Sequence, residues 1–139
     1  MEGVLGEDRS GADGLRLLLD TNVVLWAILD RSQLRTETVA AIEDPDNDVA
    51  ISPVSPWEIE IKRRAGRLHA GEGVVAEITR AGFTALPIFL EHGVAAARLP
   101  LHHRDPFDRM LVAQAQLDGL TIVTSDEKIA RYQVAVLPA

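Results

Sequence analysis

Cysteine is missing from all 139 residues. Its absence excludes a disulfide scaffold, a thiolate zinc site and a cysteine nucleophile, and fits a reducing compartment. Positive charge is scarce as well: 14 Lys and Arg stand against 21 Asp and Glu, for a formal net charge of −7. That balance argues against a broad basic surface for nucleic acid, but leaves room for an enzyme whose acids gather in a metal pocket. No apolar run approaches the roughly 18 residues that cross a membrane. The N-terminus lacks the basic start and apolar stretch of a secretion signal, so the expected location is the cytoplasm. What is present is ordinary for a globular domain, with 47% hydrophobic and 25% charged residues at a length that suits one domain.

Residues 1–14 (MEGVLGEDRSGADG) are rich in Gly and Asp, lack periodicity, and read as a flexible extension ahead of a domain at 15–139. Leu15–Leu19 is a nearly continuous apolar run, the pattern of a strand buried on both faces. Helices are expected over Thr21–Leu29, Arg35–Glu43, Ser52–Arg67, Val74–Ala81, Glu91–Ala97 and Pro106–Asp118, the last stopped by Gly119. Further strands are expected at Val49–Ile51, Thr84–Leu86, Leu120–Val123 and Val134–Val136, with a short helix opening near Asp126. Strands alternating with helices imply an α/β fold: three layers, with a central, mostly parallel sheet of four to five strands flanked by helices. Sites in such sheets form at the carboxyl ends of the strands.

Four acids should converge there. Asp20 ends the first strand. Ser55-Pro56-Trp57-Glu58 reads as a helix start with Ser55 as cap, Pro56 in first place and Glu58 in third. Asp105-Pro106-Phe107-Asp108 repeats that grammar, and Asp126 follows the fourth strand within Thr124-Ser125-Asp126. Carboxylates held this close raise one another's pKa. Helix N-termini offset the repulsion by only roughly 0.3–1 kcal/mol each, so a divalent cation is the expected resolution. Oxygen ligands without cysteine favour Mg2+ or Mn2+ over zinc. Such ions polarise a phosphate and lower the pKa of bound water.

Three blocks carry a resemblance. LLLDTNVVLWAILD at 17–30, SPVSPWEIEIKRRAGRL at 52–68 and HHRDPFDRMLVAQAQLDGLTIVTSDEKIARY at 102–132 resemble, in order, the motifs of a PIN domain, and within that family the VapC-like toxins. The resemblance covers roughly residues 15–139. It implies a metal-dependent endoribonuclease, the toxin of a bacterial toxin–antitoxin pair, with Asp20, Glu58, Asp108 and Asp126 as catalytic and metal-binding acids. Asn22 and Ser125 match supporting polar positions, and Asp105 is an extra acid that caps its helix rather than binding metal. It further implies a homodimer, an RNA substrate and a cognate antitoxin; no part of the chain reads as a DNA-binding element. The N-terminal extension departs from the family pattern and bears on the start site, not on the chemistry.

Each acid alone has a plainer reading: a turn residue at Asp20, a capping-box acid at Glu58, a dipole-favoured acid at Asp108, an N-cap at Asp126. Lys62, Arg63, Arg64 and Arg67 form a basic cluster that either contacts RNA phosphate or is a solvated helix end. His102 and His103 read as exposed loop residues, Trp26 and Trp57 as core or interface packing, Met110, Leu111 and Leu117 as core, and Phe107 as packing beside the site. Rival functions are a catalytically silent PIN-like interaction module and a metal-dependent phosphatase with an aspartyl nucleophile. The phosphatase needs a second acid where Asn22 stands. A phosphorylated receiver domain has an acidic pocket too, but a different motif order.

Overall fold

The computed structural model describes residues 14–69 and 73–139. The extension read at 1–14 lies outside the described residues but for Gly14. The elements run β1 (Arg16–Leu19), α1 (Thr21–Leu29), α2 (Thr36–Glu43), β2 (Asp48–Ile51), α3 (Val54–Arg64), α4 (Val74–Arg80), β3 (Thr84–Ala85), α5 (Leu90–Arg98), α6 (Pro106–Asp118), β4 (Thr121–Thr124) and β5 (Val136–Pro138), with short 3-10 turns at Arg31–Gln33 and Ile129–Arg131. The five strands form one sheet of order β3-β2-β1-β4-β5. Every pairing is parallel, with Leu18 opposite both Ala50 and Ile122.

β1 is the central strand, and Leu17, Leu18 and Leu19 are fully buried. Strand alternation divides them between two cores. Leu17 and Leu19 join Val23 and Val24 of α1, Ile59 of α3 and Val74 and Ile78 of α4. Leu18 joins Leu111, Val112 and Ala115 of α6 with Ile122, Ile129 and Tyr132. Helices therefore cover both faces, as a parallel sheet requires. From β1 the chain builds β2 and β3 on one side and later β4 and β5 on the other. The order reverses between β1 and β4, and a crevice opens at their carboxyl ends.

Three local expectations need correction. α3 begins at Val54, behind Pro53, because the Ser52 hydroxyl accepts the Val54 N–H at 3.1 Å. Ser55 is thus no cap: it is buried inside the first turn, its hydroxyl 3.0 Å from that of Thr21 on α1. Pro56 falls at the third helical position, where an N–H would still lack an intrahelical partner, and Glu58 moves into the second turn. No helix opens at Asp126 either. Its Oδ1 accepts the Lys128 N–H at 2.8 Å in a local Asx turn, and the 3-10 turn follows only at Ile129. Finally, Leu117 is 51% exposed and Trp26 and Trp57 are 40% and 60% exposed, so none is a core residue; Leu111 is buried, while Met110 is partly buried against the same core.

A candidate metal centre at the sheet edge

The centre starts with β1. Its apolar triplet drives the strand into the sheet, and the next residue, Asp20, becomes the N-cap of α1. Asp20 Oδ1 accepts the Val23 N–H at 2.9 Å, Oδ2 accepts the Thr124 hydroxyl, and its own N–H donates to Val123 O at 3.1 Å. The carboxylate is locked between β1 and β4, at the crevice. Burial raises its pKa, and the charges of Asp126 and Glu58 add to the rise; the bonds from Thr124 and Val23 oppose it.

Glu58 enters from α3, 5% exposed. Its Oε2 accepts from Lys62 Nζ, one turn on, at 2.6 Å. Its Oε1 is buried with no hydrogen-bond partner. A buried carboxylate oxygen without a donor is costly. Asp108 comes from the first turn of α6, whose cap is Asp105: Asp105 Oδ1 accepts the N–H groups of Phe107 at 2.8 Å and Asp108 at 3.4 Å. Burial, then the charge of Asp105, pushes Asp108 from 3.8 up to about 7; His103 opposes the shift, and Glu58 and Asp20 add to it. Asp126, after β4, behaves oppositely. Burial would raise it, but the hydrogen bonds from Lys128 N–H and His103 prevail and lower it.

These side chains line one cleft of about 390 Å3, together with Thr21, Asn22, Lys62, His103, Asp105 and Ser125. The structure thus brings the four acids to one place, although only Asp108 does so from a helix's first turn. Asn22 and Ser125 sit exposed at the rim. Of the basic cluster, Lys62 alone lines the cleft; Arg63 pairs with Glu60 at 2.8 Å, and Arg64 and Arg67 are exposed. Phe107 packs edge-on against Trp57, ring centres 4.9 Å apart.

His103 was expected on an exposed loop. Its side chain is instead 11% exposed, with Nε2 2.9 Å from Asp108 Oδ2 and 2.9 Å from Asp126 Oδ2. Among the described residues, ligand atoms of His103, Asp108 and Asp126 all lie within 4.8 Å of one another. His102 does remain exposed, its ring edge-on to Tyr132. The other residue unforeseen as a contact is Thr124, whose hydroxyl serves Asp20. Both sit inside motifs recognisable in sequence, yet their partners lie 5, 23 and 104 residues away.

A hard divalent cation fits this donor set. It would give Glu58 Oε1 a partner and offset the burial and mutual repulsion that raise Asp20 and Asp108. The set is mostly carboxylate oxygen, which suits Mg2+ or Mn2+.

Comparison with known proteins gives the same fold. The model of the PIN domain family matches residues 17–135. No curated protein matches the chain in sequence. Among solved structures, VapBC2 from Rickettsia felis bound to a DNA fragment from its promoter aligns with 15% identity over 88% of this chain and 98% of that one, TM-score 0.67. DNA-bound VapBC from Salmonella typhimurium aligns with 17% identity over 88% and 97%, TM-score 0.66. FitAcB from Neisseria gonorrhoeae aligns with 23% identity over 88% and 96%, TM-score 0.58.

Proposed function

The chain belongs to the PIN domain family, and from that premise we propose that it is a Mg2+- or Mn2+-dependent endoribonuclease, the toxin of a bacterial toxin–antitoxin pair acting in the cytoplasm. One observation carries the reading most: Glu58, with one carboxylate oxygen buried and unpartnered, lines a cleft together with two acids whose pKa values are raised. That arrangement is unfavourable without a cation and favourable with one.

Asp20, Glu58, Asp108 and Asp126 are the metal ligands in this reading. A bound divalent ion supplies Lewis acidity toward a phosphodiester and a nucleophilic water. The protein's share is placement. Asp20 is held by two hydrogen bonds to its carboxylate and cannot swing away. Lys62, at the rim, offers a cation to a neighbouring phosphate, with Arg64 and Arg67 further along the helix end and Arg63 held by Glu60 between them. Asn22 and Ser125 offer polar contacts at the same mouth. A net charge of −7 then calls for binding confined to this strip rather than to a broad surface.

The partners proposed are RNA, a second copy of the chain and a cognate antitoxin. The complexes from Rickettsia felis and Salmonella typhimurium were both solved as VapBC with DNA; in this reading any DNA contact belongs to the antitoxin. The phosphatase alternative is disfavoured by Asn22, which leaves no second acid two residues after Asp20.

Purified protein should cleave single-stranded RNA only with Mn2+ or Mg2+, and Asp20→Asn and Asp108→Asn should each lower cleavage by about a hundredfold or more while folding normally. Undiminished cleavage in both variants would end the reading. Induced expression without an antitoxin should arrest growth for wild type and not for Asp20→Asn.

A further inference from the structure

His103 is a largely buried side chain in the cleft that the mechanism above does not use. We propose that it is a positioning residue: its Nε2–H holds the Asp108 and Asp126 carboxylates in place for the cation, and the imidazole is not itself a ligand. The proposal rests on the metal reading and adds a division of labour to it.

Its backbone is fixed from both sides. The His103 N–H donates to the Tyr132 hydroxyl at 2.9 Å, and its carbonyl accepts from Arg109 at 3.1 Å. Arg109 also donates to the carbonyls of Ala96, Ala97, Leu99 and Pro100, and Tyr132 donates to Pro100 O at 2.7 Å. The loop between α5 and α6 is therefore anchored to the core, and His103 projects from it into the cleft.

The ring's two nitrogens have different neighbours. Nδ1 accepts the backbone N–H of Asp105 at 3.2 Å, so Nδ1 presents its lone pair there. The ring proton then resides on Nε2, which faces Asp108 Oδ2 and Asp126 Oδ2. Metal ligation through Nε2 would reverse this. The lone pair would have to face the ion, and the proton would move to Nδ1, against the Asp105 N–H. Two donors would then oppose each other inside the protein. An Nε2–H instead donates to Asp126 and lies against Asp108, carboxylates from two elements, the segment after β4 and α6, while each carboxylate oxygen keeps lone pairs for a cation. Partners that orient metal-binding groups in this way affect metal affinity by roughly 10–100-fold.

The test is Mn2+ binding to the full-length, metal-free protein, followed by the EPR signal of free Mn2+. His103→Ala should weaken binding by about tenfold or more, whereas His103→Gln, whose amide keeps an N–H donor at similar reach, should stay within about threefold of wild type. Melting temperatures of the metal-free variants identify any loss that is only structural. On Mn2+-loaded wild type, pulsed EPR should show no nitrogen coupling of a directly bound imidazole, a result that needs no variant. Direct nitrogen coupling, wild-type affinity in His103→Ala, or equal losses in the Ala and Gln variants would each overturn the proposal. If wild type itself binds no Mn2+, the metal reading falls with it; if wild type binds and only the variants misbehave, the metal reading stands.

Discussion

Asp108 and Arg109 are neighbours on α6, and they meet opposite fates. Arg109 is 9% exposed. Among the described residues no carboxylate pairs with it; five backbone carbonyls and the Tyr132 hydroxyl take its N–H groups instead. Several of those carbonyls end α5, where the helix dipole is negative. A buried charge is thus met by backbone dipoles. Asp108, about one helical step round, faces other acids and is pushed up to about 7 by burial and by Asp105. One side of α6 is electrostatically complete within the protein, and the other is completed only by something bound. Proteins tolerate local inconsistency of the second kind at functional sites, on the strength of regions of the first kind.

The widest separation between the two sides should come from substituting each neighbour in turn. Asp108→Asn should lower metal-dependent RNA cleavage by about a hundred- to thousandfold, the scale of losing one electrostatic group from a reacting site. Its metal-free melting temperature at pH 8 should rise, because a repelled, desolvated charge is gone. Arg109→Leu should do the reverse to stability. Five carbonyls lose a charged donor, and leaving buried acceptors unmet costs about 3 kcal/mol or more, a fall of roughly 10 °C in melting temperature for a domain of this size. Calorimetry of the two variants side by side decides it. A destabilised Asp108→Asn at pH 8 would show that the acid side is no less complete than the other.

A smaller effect should appear on changing pH. Asp108 titrates at about 7 when folded against an ordinary 3.8, and Asp20 is raised too. Between those limits the folded protein holds protons that the unfolded chain has released. Stability without metal should therefore fall as pH rises from about 4 to about 7, with the loss complete above about 7. Asp126, lowered instead, contributes stability that is lost only in stronger acid, as pH drops through its folded value. Mn2+ binds the deprotonated carboxylates, so its affinity should run the other way and weaken as pH falls below about 7. Thermal scans with and without Mn2+ read both trends. Asp108→Asn should flatten the metal-free one, and an unchanged slope in that variant would assign the protons elsewhere.

How much of this was legible depended on whether a residue's partner was local. α6 was readable to its ends because its signals are consecutive: Asp105 caps, Pro106 starts, and Gly119, at φ +74°, stops it. α1 followed from an apolar strand ending in a capping acid. α3 was misplaced because Ser52 and Ser55 both look like caps, and only the packing of Ser55 against Thr21 decides between them. Leu117 has core spacing, yet the side of α6 it occupies is not covered. The gathering of the acids followed from parallel topology, which sends strand ends to one edge. The placement of His103 against Asp108 and Asp126 did not, because its loop is positioned by Arg109 and Tyr132, and no local pattern announces that.

Lys62 joins the two kinds of region and offers the finest test. Its ammonium meets Glu58 at 2.6 Å, but its side chain is 35% exposed while Glu58 is 6% exposed. If Lys62 serves only to neutralise Glu58, it belongs with Arg109, as part of the protein's own charge compensation. If it meets RNA, it belongs with the acids. Removing Lys62 leaves both oxygens of the buried Glu58 carboxylate without a donor, so Lys62→Met should lower the metal-free melting temperature in either case. RNA affinity separates the alternatives. Losing one phosphate contact reduces the slope of log affinity against log salt by about 0.7 for a single strand. Binding of labelled single-stranded RNA to Asp20→Asn, and to the same protein carrying Lys62→Met, should therefore differ by about that slope, with the larger difference at low salt. Equal slopes would remove Lys62 from the RNA-binding strip and leave it as the counter-ion of Glu58, with the acids' incompleteness confined to Glu58 Oε1, Asp20 and Asp108.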